Sequence, residues 1–130
     1  MIDLNEQIRR FRLQMEEAWP TPTSADTIRY VYQELGEADS VAMKCGHQDK
    51  EYSRASDFYS YDAARRMLEI ECGHALIMFI TYLNLLNVPF ATALHCGMVD
   101  LFLKQVDKHP ELDLESAADI VDEVKDYYDL

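Results

Sequence analysis

The chain has 130 residues, with 12 lysines and arginines against 24 aspartates and glutamates, and a formal net charge of −12 at pH 7. At this length we expect one domain over residues 1–130, able to bury roughly two-thirds of its unfolded surface. The 48% share of hydrophobic residues excludes a disordered chain, and the acidity disfavours unaided binding to nucleic acid or to an anionic membrane. Any phosphate that this protein binds is therefore expected to need a cation.

The spacing of apolar residues predicts an all-α bundle of four or five helices, because no stretch shows the alternation typical of a strand. The first helix is expected from about Leu4 to Trp19, where Pro20 ends it. The second helix starts after a cap at Thr23 or Ser24. Its predicted core-facing stripe consists of Ile28, Val31, Leu35, Ala38 and Ala42.

In the second half of the chain, prolines and apolar spacing again predict the bounds of the helices. Residues 45–61 form a polar connection without a clear period, and the longest helix is expected from Asp62 to Leu86. A fourth helix starts at Pro89 and runs to His109, since proline suits a first helical turn. The predicted helical core therefore covers about residues 4–110, and a last acidic helix follows over 114–128.

Three features indicate a cytoplasmic protein without a membrane partner. The first fourteen residues are polar and contain no apolar stretch typical of a secretory signal. The three cysteines, Cys45, Cys72 and Cys96, are an odd number, which fits a reducing compartment. The most apolar segment, residues 75–86, is shorter than the roughly 18 residues of a membrane span, so we expect a buried helix there.

Two helices carry acidic pairs at helical spacing. Glu34 and Glu37 project from adjacent turns on one side of the second helix, a pattern that by itself is typical of a solvated surface. Glu71 lies on the third helix with His74 one turn away. The apolar residues expected to share its side are Met67, Ala75, Met78 and Tyr82.

A carboxylate in such surroundings needs compensation. Burying an ionised carboxylate without a partner costs several kcal/mol, so Glu71 must be paired, hydrogen-bonded, protonated or bound to a metal. One interpretation is a salt bridge to an arginine or lysine, with His74 as a core histidine. The other is that two antiparallel helices bring Glu34, Glu37, Glu71 and His74 together around divalent cations, which prefer oxygen ligands.

At these residues the chain resembles the MazG-like all-α nucleoside triphosphate pyrophosphohydrolases, a superfamily that includes dimeric dUTPases and phosphoribosyl-ATP pyrophosphohydrolases. The family signature is E-x-x-E on one helix and E-x-x-D on the next. Residues 33–38, QELGEA, match the first half, and residues 70–76, IECGHAL, are similar to the second, with His74 at the aspartate position. Trp19 and Pro22 before the first motif, and the Asn-Val-Pro link at residues 87–89, are also similar.

The resemblance implies a reaction and a set of residues. It implies hydrolysis of a nucleoside triphosphate, or a related nucleotide, between the α and β phosphates, with release of pyrophosphate. It implies Mg²⁺ or Mn²⁺ as cofactor and a bundle completed as a homodimer or homotetramer. The residues that it implicates are Glu34, Glu37 and Glu71 as catalytic groups, these three with His74 as metal ligands, and Trp19, Lys104 and Lys108 as substrate contacts.

His74 keeps two other functions open. Imidazole suits Mn²⁺, iron, nickel or Zn²⁺ better than Mg²⁺, so the histidine either shifts the choice of metal or marks a chain without catalysis. In the second case the protein is a helical oligomerisation or regulatory module. The third alternative is a ferritin-like di-metal protein, because Glu-x-x-His pairs with additional glutamates are typical of such bundles.

Overall fold

The computed structural model describes residues 2–44 and 61–130, and over these ranges it confirms the all-α prediction, with helices and no strand. The expected connection over 45–61 lies, except for Tyr61, outside the described residues. The five helices are α1 (Leu4–Gln14), α2 (Ser24–Lys44), α3 (Tyr61–Leu85), α4 (Phe90–Lys108) and α5 (Glu115–Tyr127).

The first helix ends earlier than predicted, at Gln14 instead of Trp19. Beyond it the backbone N–H of Trp19 donates to the carbonyl of Met15 at 2.7 Å. The Glu16 carboxylate accepts from the backbone N–H of Thr21 at 3.3 Å and from its hydroxyl at 2.8 Å. The bonds from Thr21 to Glu16 close a turn that contains Pro20.

α2 packs against α3, and its buried side follows a seven-residue period. The buried residues of α2 are Thr27, Val31, Ala38 and Val41. The predicted stripe is confirmed at Val31 and Ala38 and wrong at Leu35, which is 51% exposed. Thr27 is buried in place of Ile28, and its hydroxyl donates to the carbonyl of Thr23 at 2.7 Å, so the buried hydroxyl is not left unpaired. Glu34 therefore lies on the core side of α2.

α3 is the central helix, because α2 and α1 both pack against it. Its buried residues are Ala64, Ala75, Met78, Ile80, Thr81 and Leu83. Of the residues predicted to share the side of Glu71, Ala75 and Met78 are buried, whereas Met67 is 40% exposed and so does not cover the carboxylate. Val41 contacts Ala64 near the end of α2, which makes α2 and α3 antiparallel neighbours.

α3 also has the length and composition of a membrane span. Among the described helices it is the one candidate, over Asp62–Leu85, where an 18-residue window has a mean hydropathy of 1.2 and 28% of that window is buried. This candidacy depends on length and composition alone, and the core helix of a soluble protein passes the same test.

α1 is joined to the corner between α3 and α4 by hydrogen bonds of two asparagines. The Asn5 amide donates to Oδ1 of Asn84 at 2.8 Å and to the carbonyl of Val88 at 3.1 Å. Its own Oδ1 accepts from the backbone N–H of Phe90 at 2.7 Å. The Asn84 amide donates back to the Asn5 carbonyl at 3.0 Å, so the side-chain amides of both residues are engaged.

α4 and α5 contact each other but bury little. Neither helix has a buried residue, although α4 is rich in apolar side chains. The exposed large apolar residues of α4 are Leu94, Leu101, Leu103 and Val106. α4 therefore presents an apolar surface that the described part of the chain does not cover.

Candidate functional site

The antiparallel packing of α2 and α3 brings Glu34, Glu71 and His74 together. Nδ1 of His74 lies 3.7 Å from Oε2 of Glu34 and 3.6 Å from Oε2 of Glu71. One ligand atom from each of the three residues lies within 4.8 Å of the others. Glu34 and Glu71 occupy core-side positions of their helices, so both carboxylates point into the seam between them.

Both carboxylates are largely removed from solvent. The side chains of Glu34 and Glu71 are 21% and 17% exposed, whereas that of His74 is 53% exposed. Oε2 of each glutamate is buried and has no hydrogen-bond partner among the residues that the structure describes. An unsatisfied buried acceptor costs about 1–3 kcal/mol, and more when it is charged. A positively charged partner between the two carboxylates would therefore stabilise this part of the structure.

The pKa of Glu34 is raised above its usual value of 4.5. The largest cause is burial, followed by repulsion from Glu37 and a hydrogen bond between the two side chains, and Glu71 acts in the same direction. His74 opposes the rise. Among the described residues, no arginine or lysine acts on this pKa, which disfavours a salt bridge from this part of the chain to Glu34.

Glu37 lies beside this group but outside it. It is exposed on the next turn of α2, where Nε2 of Gln33 donates to its Oε1 at 3.4 Å. It is close enough to Glu34 for a hydrogen bond between the two carboxyl groups. The structure therefore brings three of the four predicted ligands together and leaves the fourth at the rim.

The chemistry of the three residues fits one divalent cation. Carboxylate oxygens and imidazole nitrogens bind such ions at about 2.0–2.6 Å, so ligand atoms on one ion lie at most about twice that distance apart. The 4.8 Å span of the cluster falls within this range. A set of two carboxylates and one imidazole favours Mn²⁺ or a later transition metal more than an all-oxygen set does.

The three predicted substrate contacts lie elsewhere. Trp19 is in the turn after α1, with its ring centroid 3.7 Å from the guanidinium carbon of Arg12. Lys104 and Lys108 are exposed on α4, and Nζ of Lys104 lies 2.8 Å from a carboxylate oxygen of Asp100. This hydrogen bond raises the pKa of Lys104. None of the three residues has a hydrogen bond or ion pair with the Glu34, Glu71 and His74 cluster in the described structure.

Comparison of the chain with protein-family models, with curated proteins and with solved structures finds no match. The resemblance to the MazG-like enzymes therefore stays a prediction, based on the residues of the two motifs. The geometry of the carboxylates and the imidazole stands independently of it.

Sequence reasoning missed one buried charge, Arg12, which is 4% exposed on α1. Its guanidinium nitrogens have no hydrogen-bond acceptor among the described residues. The signal was present in the spacing, because Arg12 follows the partly buried Leu4 and Ile8 at intervals of four. Arg12 and Glu34 share this property: each is a charged residue on the apolar side of its helix.

Proposed function

We propose that this protein is a divalent-metal-dependent hydrolase that cleaves a nucleoside triphosphate, or a related nucleotide, between the α and β phosphates. The products are pyrophosphate and the monophosphate. The observation that carries the proposal is the pair of buried carboxylate oxygens on Glu34 and Glu71, both without a hydrogen-bond donor in the described structure and both beside His74. The motif resemblance supplies the substrate class.

In this proposal Glu34, Glu71 and His74 hold Mg²⁺ or Mn²⁺. When bound, the cation supplies positive charge to the phosphate oxygens and lowers the pKa of water. We assign the general base to Glu37, because it is exposed at the rim of the cluster and lies beside Glu34. In the proposed reaction its carboxylate would accept a proton from the water that attacks the α phosphate.

The acidity of the chain supports a metal-dependent reaction, since a net charge of −12 repels a polyphosphate. Trp19, Lys104 and Lys108 remain the proposed substrate contacts, and we propose a cytoplasmic location. The uncovered apolar surface of α4 supports a homodimer or homotetramer. Sedimentation of the full chain tests this assembly, and a monomeric mass at micromolar concentration would contradict it.

The test of the reaction is release of pyrophosphate from a panel of ribo- and deoxyribonucleoside triphosphates with Mg²⁺ or Mn²⁺. We expect turnover that chelator abolishes and that Glu37→Ala reduces strongly. His74→Asp should shift the preference toward Mg²⁺, because it replaces imidazole by an oxygen ligand. Absence of pyrophosphate with every nucleotide and both metals would refute the proposal.

A non-catalytic module is the second candidate, and the position of His74 favours it. A protonated imidazole 3.6–3.7 Å from both carboxylates can neutralise them in part without any metal. In that case the wild-type chain binds no divalent cation, and His74→Ala lowers its stability. Iron in the purified protein would instead support the ferritin-like alternative.

A further inference from the structure

Among the described residues, a further buried charge without a hydrogen-bond partner is Arg12, on the side of α1 that faces α3, where the charge of Glu16 acts on it. The residue is 4% exposed, and Nε, Nη1 and Nη2 have no hydrogen-bond partner among the described residues. Arginine carries five N–H donors and remains charged in proteins, so it cannot escape burial by losing its proton. The ring of Trp19, 3.7 Å from the guanidinium, offers a cation–π contact but no hydrogen-bond acceptor in the guanidinium plane.

Arg12 is one of the residues that line a cavity of about 370 Å³ between α1 and α3, and its guanidinium nitrogens are buried beside it. We call it the Arg12 pocket. The residues that line it are Arg9, Arg12, Leu13, Glu16, Thr21, Thr81, Asn84 and Leu85. Its volume is within the range of small-molecule sites, roughly 300–1,000 Å³. The pocket therefore has space for a ligand larger than a single ion.

The other polar groups of the pocket already have partners. Arg9 is hydrogen-bonded to Glu6 at 2.6 Å, and the Thr81 hydroxyl donates to the carbonyl of Ile77 at 2.8 Å. Glu16, which also lines the pocket, accepts from Thr21 and does not hydrogen-bond Arg12. Among the described lining residues, Arg12 is thus the buried donor group that still needs acceptors.

We propose that the Arg12 pocket binds a small organic molecule through an oxyanion, a carboxylate or a phosphoryl group. The planar guanidinium fork matches such an anion with two parallel hydrogen bonds, while its face remains stacked on Trp19. The side chains of Leu13 and Leu85 provide apolar walls for the body of the ligand.

This site is separate from the cluster of Glu34, Glu71 and His74. Thr81 lies seven residues beyond His74 on α3, which corresponds to roughly 10 Å along the helix. The two sites also select opposite charges. Binding at the Arg12 pocket requires neither a divalent metal nor hydrolysis, so it can be tested with the metal removed.

The chain provides its own probe, since Trp19 is its single tryptophan. The full-length protein is titrated in chelator and at constant ionic strength with acetate, butyrate and inorganic phosphate, and tryptophan fluorescence is followed. We expect a saturable change for at least one anion and a parallel rise in melting temperature. Butyrate binding more tightly than acetate would indicate a carboxylate on an apolar body, whereas a response to phosphate alone would indicate a phosphoryl group.

The variants are Arg12→Lys, Arg12→Met and, as a matched control, Arg29→Met, which removes an exposed arginine of α2. Arg12→Lys should weaken anion binding about tenfold or more, because lysine lacks the fork. Arg12→Met should abolish binding, and Arg29→Met should leave it unchanged. Circular dichroism verifies that each variant is folded, and if Arg12→Met does not fold, Arg12→Lys decides.

Three outcomes would overturn the proposal. The first is that no anion changes the fluorescence at millimolar concentration. The second is equal affinity in the wild type and Arg12→Lys. The third is a signal that follows protein concentration instead of anion concentration, because the guanidinium would then be paired with a second copy of the chain.

Discussion

Two groups of partly buried polar side chains contact α3, and they differ in how completely their hydrogen bonds are formed. At the α3–α4 corner, the amides of Asn5 and Asn84 donate and accept within the chain. In the α2–α3 seam, Oε2 of Glu34 and of Glu71 finds no donor in the described structure. Completed networks stabilise a fold, whereas a buried polar group without a partner carries a free-energy cost that needs an explanation.

The largest expected effect tests the incomplete group. Glu71→Gln should lower the affinity for Mn²⁺ by about 100-fold or more, since loss of even an outer partner of a metal ligand costs 10–100-fold. Isothermal titration calorimetry measures this affinity. The matched control is Glu69→Gln, which removes an exposed carboxylate from the same helix. Equal losses in the two variants would show that only overall charge matters.

The next effect tests the completed group. Asn5→Ala should lower the free energy of unfolding by about 2 kcal/mol, because it removes the acceptor of the Phe90 N–H and the Asn5 donor to the Val88 carbonyl and to Oδ1 of Asn84. Urea denaturation followed by circular dichroism measures the change. The affinity for Mn²⁺ should stay at the wild-type value. If Asn5→Ala instead kept the wild-type stability and bound Mn²⁺ weakly, the assignment of a structural role to the asparagines and of metal binding to the carboxylates would be contradicted.

A smaller effect of opposite sign is expected at Glu34. Because its pKa is raised in the folded state, the protonated form is favoured, and stability falls as pH rises above 4.5 through the folded-state pKa. In chelator at neutral pH, Glu34→Gln should therefore raise the free energy of unfolding by about 1 kcal/mol. Thermal melts over a pH series should show this gain vanishing toward acid pH. A gain that is independent of pH would exclude the carboxylate charge as its cause.

The smallest effect concerns an exposed ion pair. Arg29 and Asp26 are 3.7 Å apart on α2, and both side chains are well exposed. Arg29→Ala should change the free energy of unfolding by less than about 0.5 kcal/mol. A loss as large as that of Asn5→Ala would mean that solvent-exposed contacts stabilise this protein as strongly as the asparagine network.

Much of the fold could be predicted from the positions of the prolines and from the spacing of the apolar residues. The ends of α3 and α4 lie within a few residues of the prolines and the asparagine that predicted them. The face of α2 was harder to predict, because Thr27 satisfies its hydroxyl on its own helix and takes a core position that hydrophobicity assigns to Ile28. A shift of one residue was enough to expose Leu35 and to move Glu34 toward the core.

A charged residue on the apolar side of a helix is the feature of the candidate sites that is hardest to interpret from sequence spacing. Glu71 was recognised because apolar residues surround it, and the same rule applied to α1 would have found Arg12. The exposure of α4 could not be predicted, since an apolar helix is equally compatible with an intramolecular core and with a surface between subunits. Sequence spacing shows which side of a helix is apolar, but not what covers it.

The half-exposed ring of His74 has a kinetic consequence for the proposed metal site. Oε2 of Glu34 and Oε2 of Glu71 are buried, so a cation arriving from bulk water would meet the imidazole before these two oxygens. Exchange of the cation would then depend on rotation of that ring. A smaller residue at position 74 should consequently speed entry and exit more than it changes how tightly the ion is held at equilibrium.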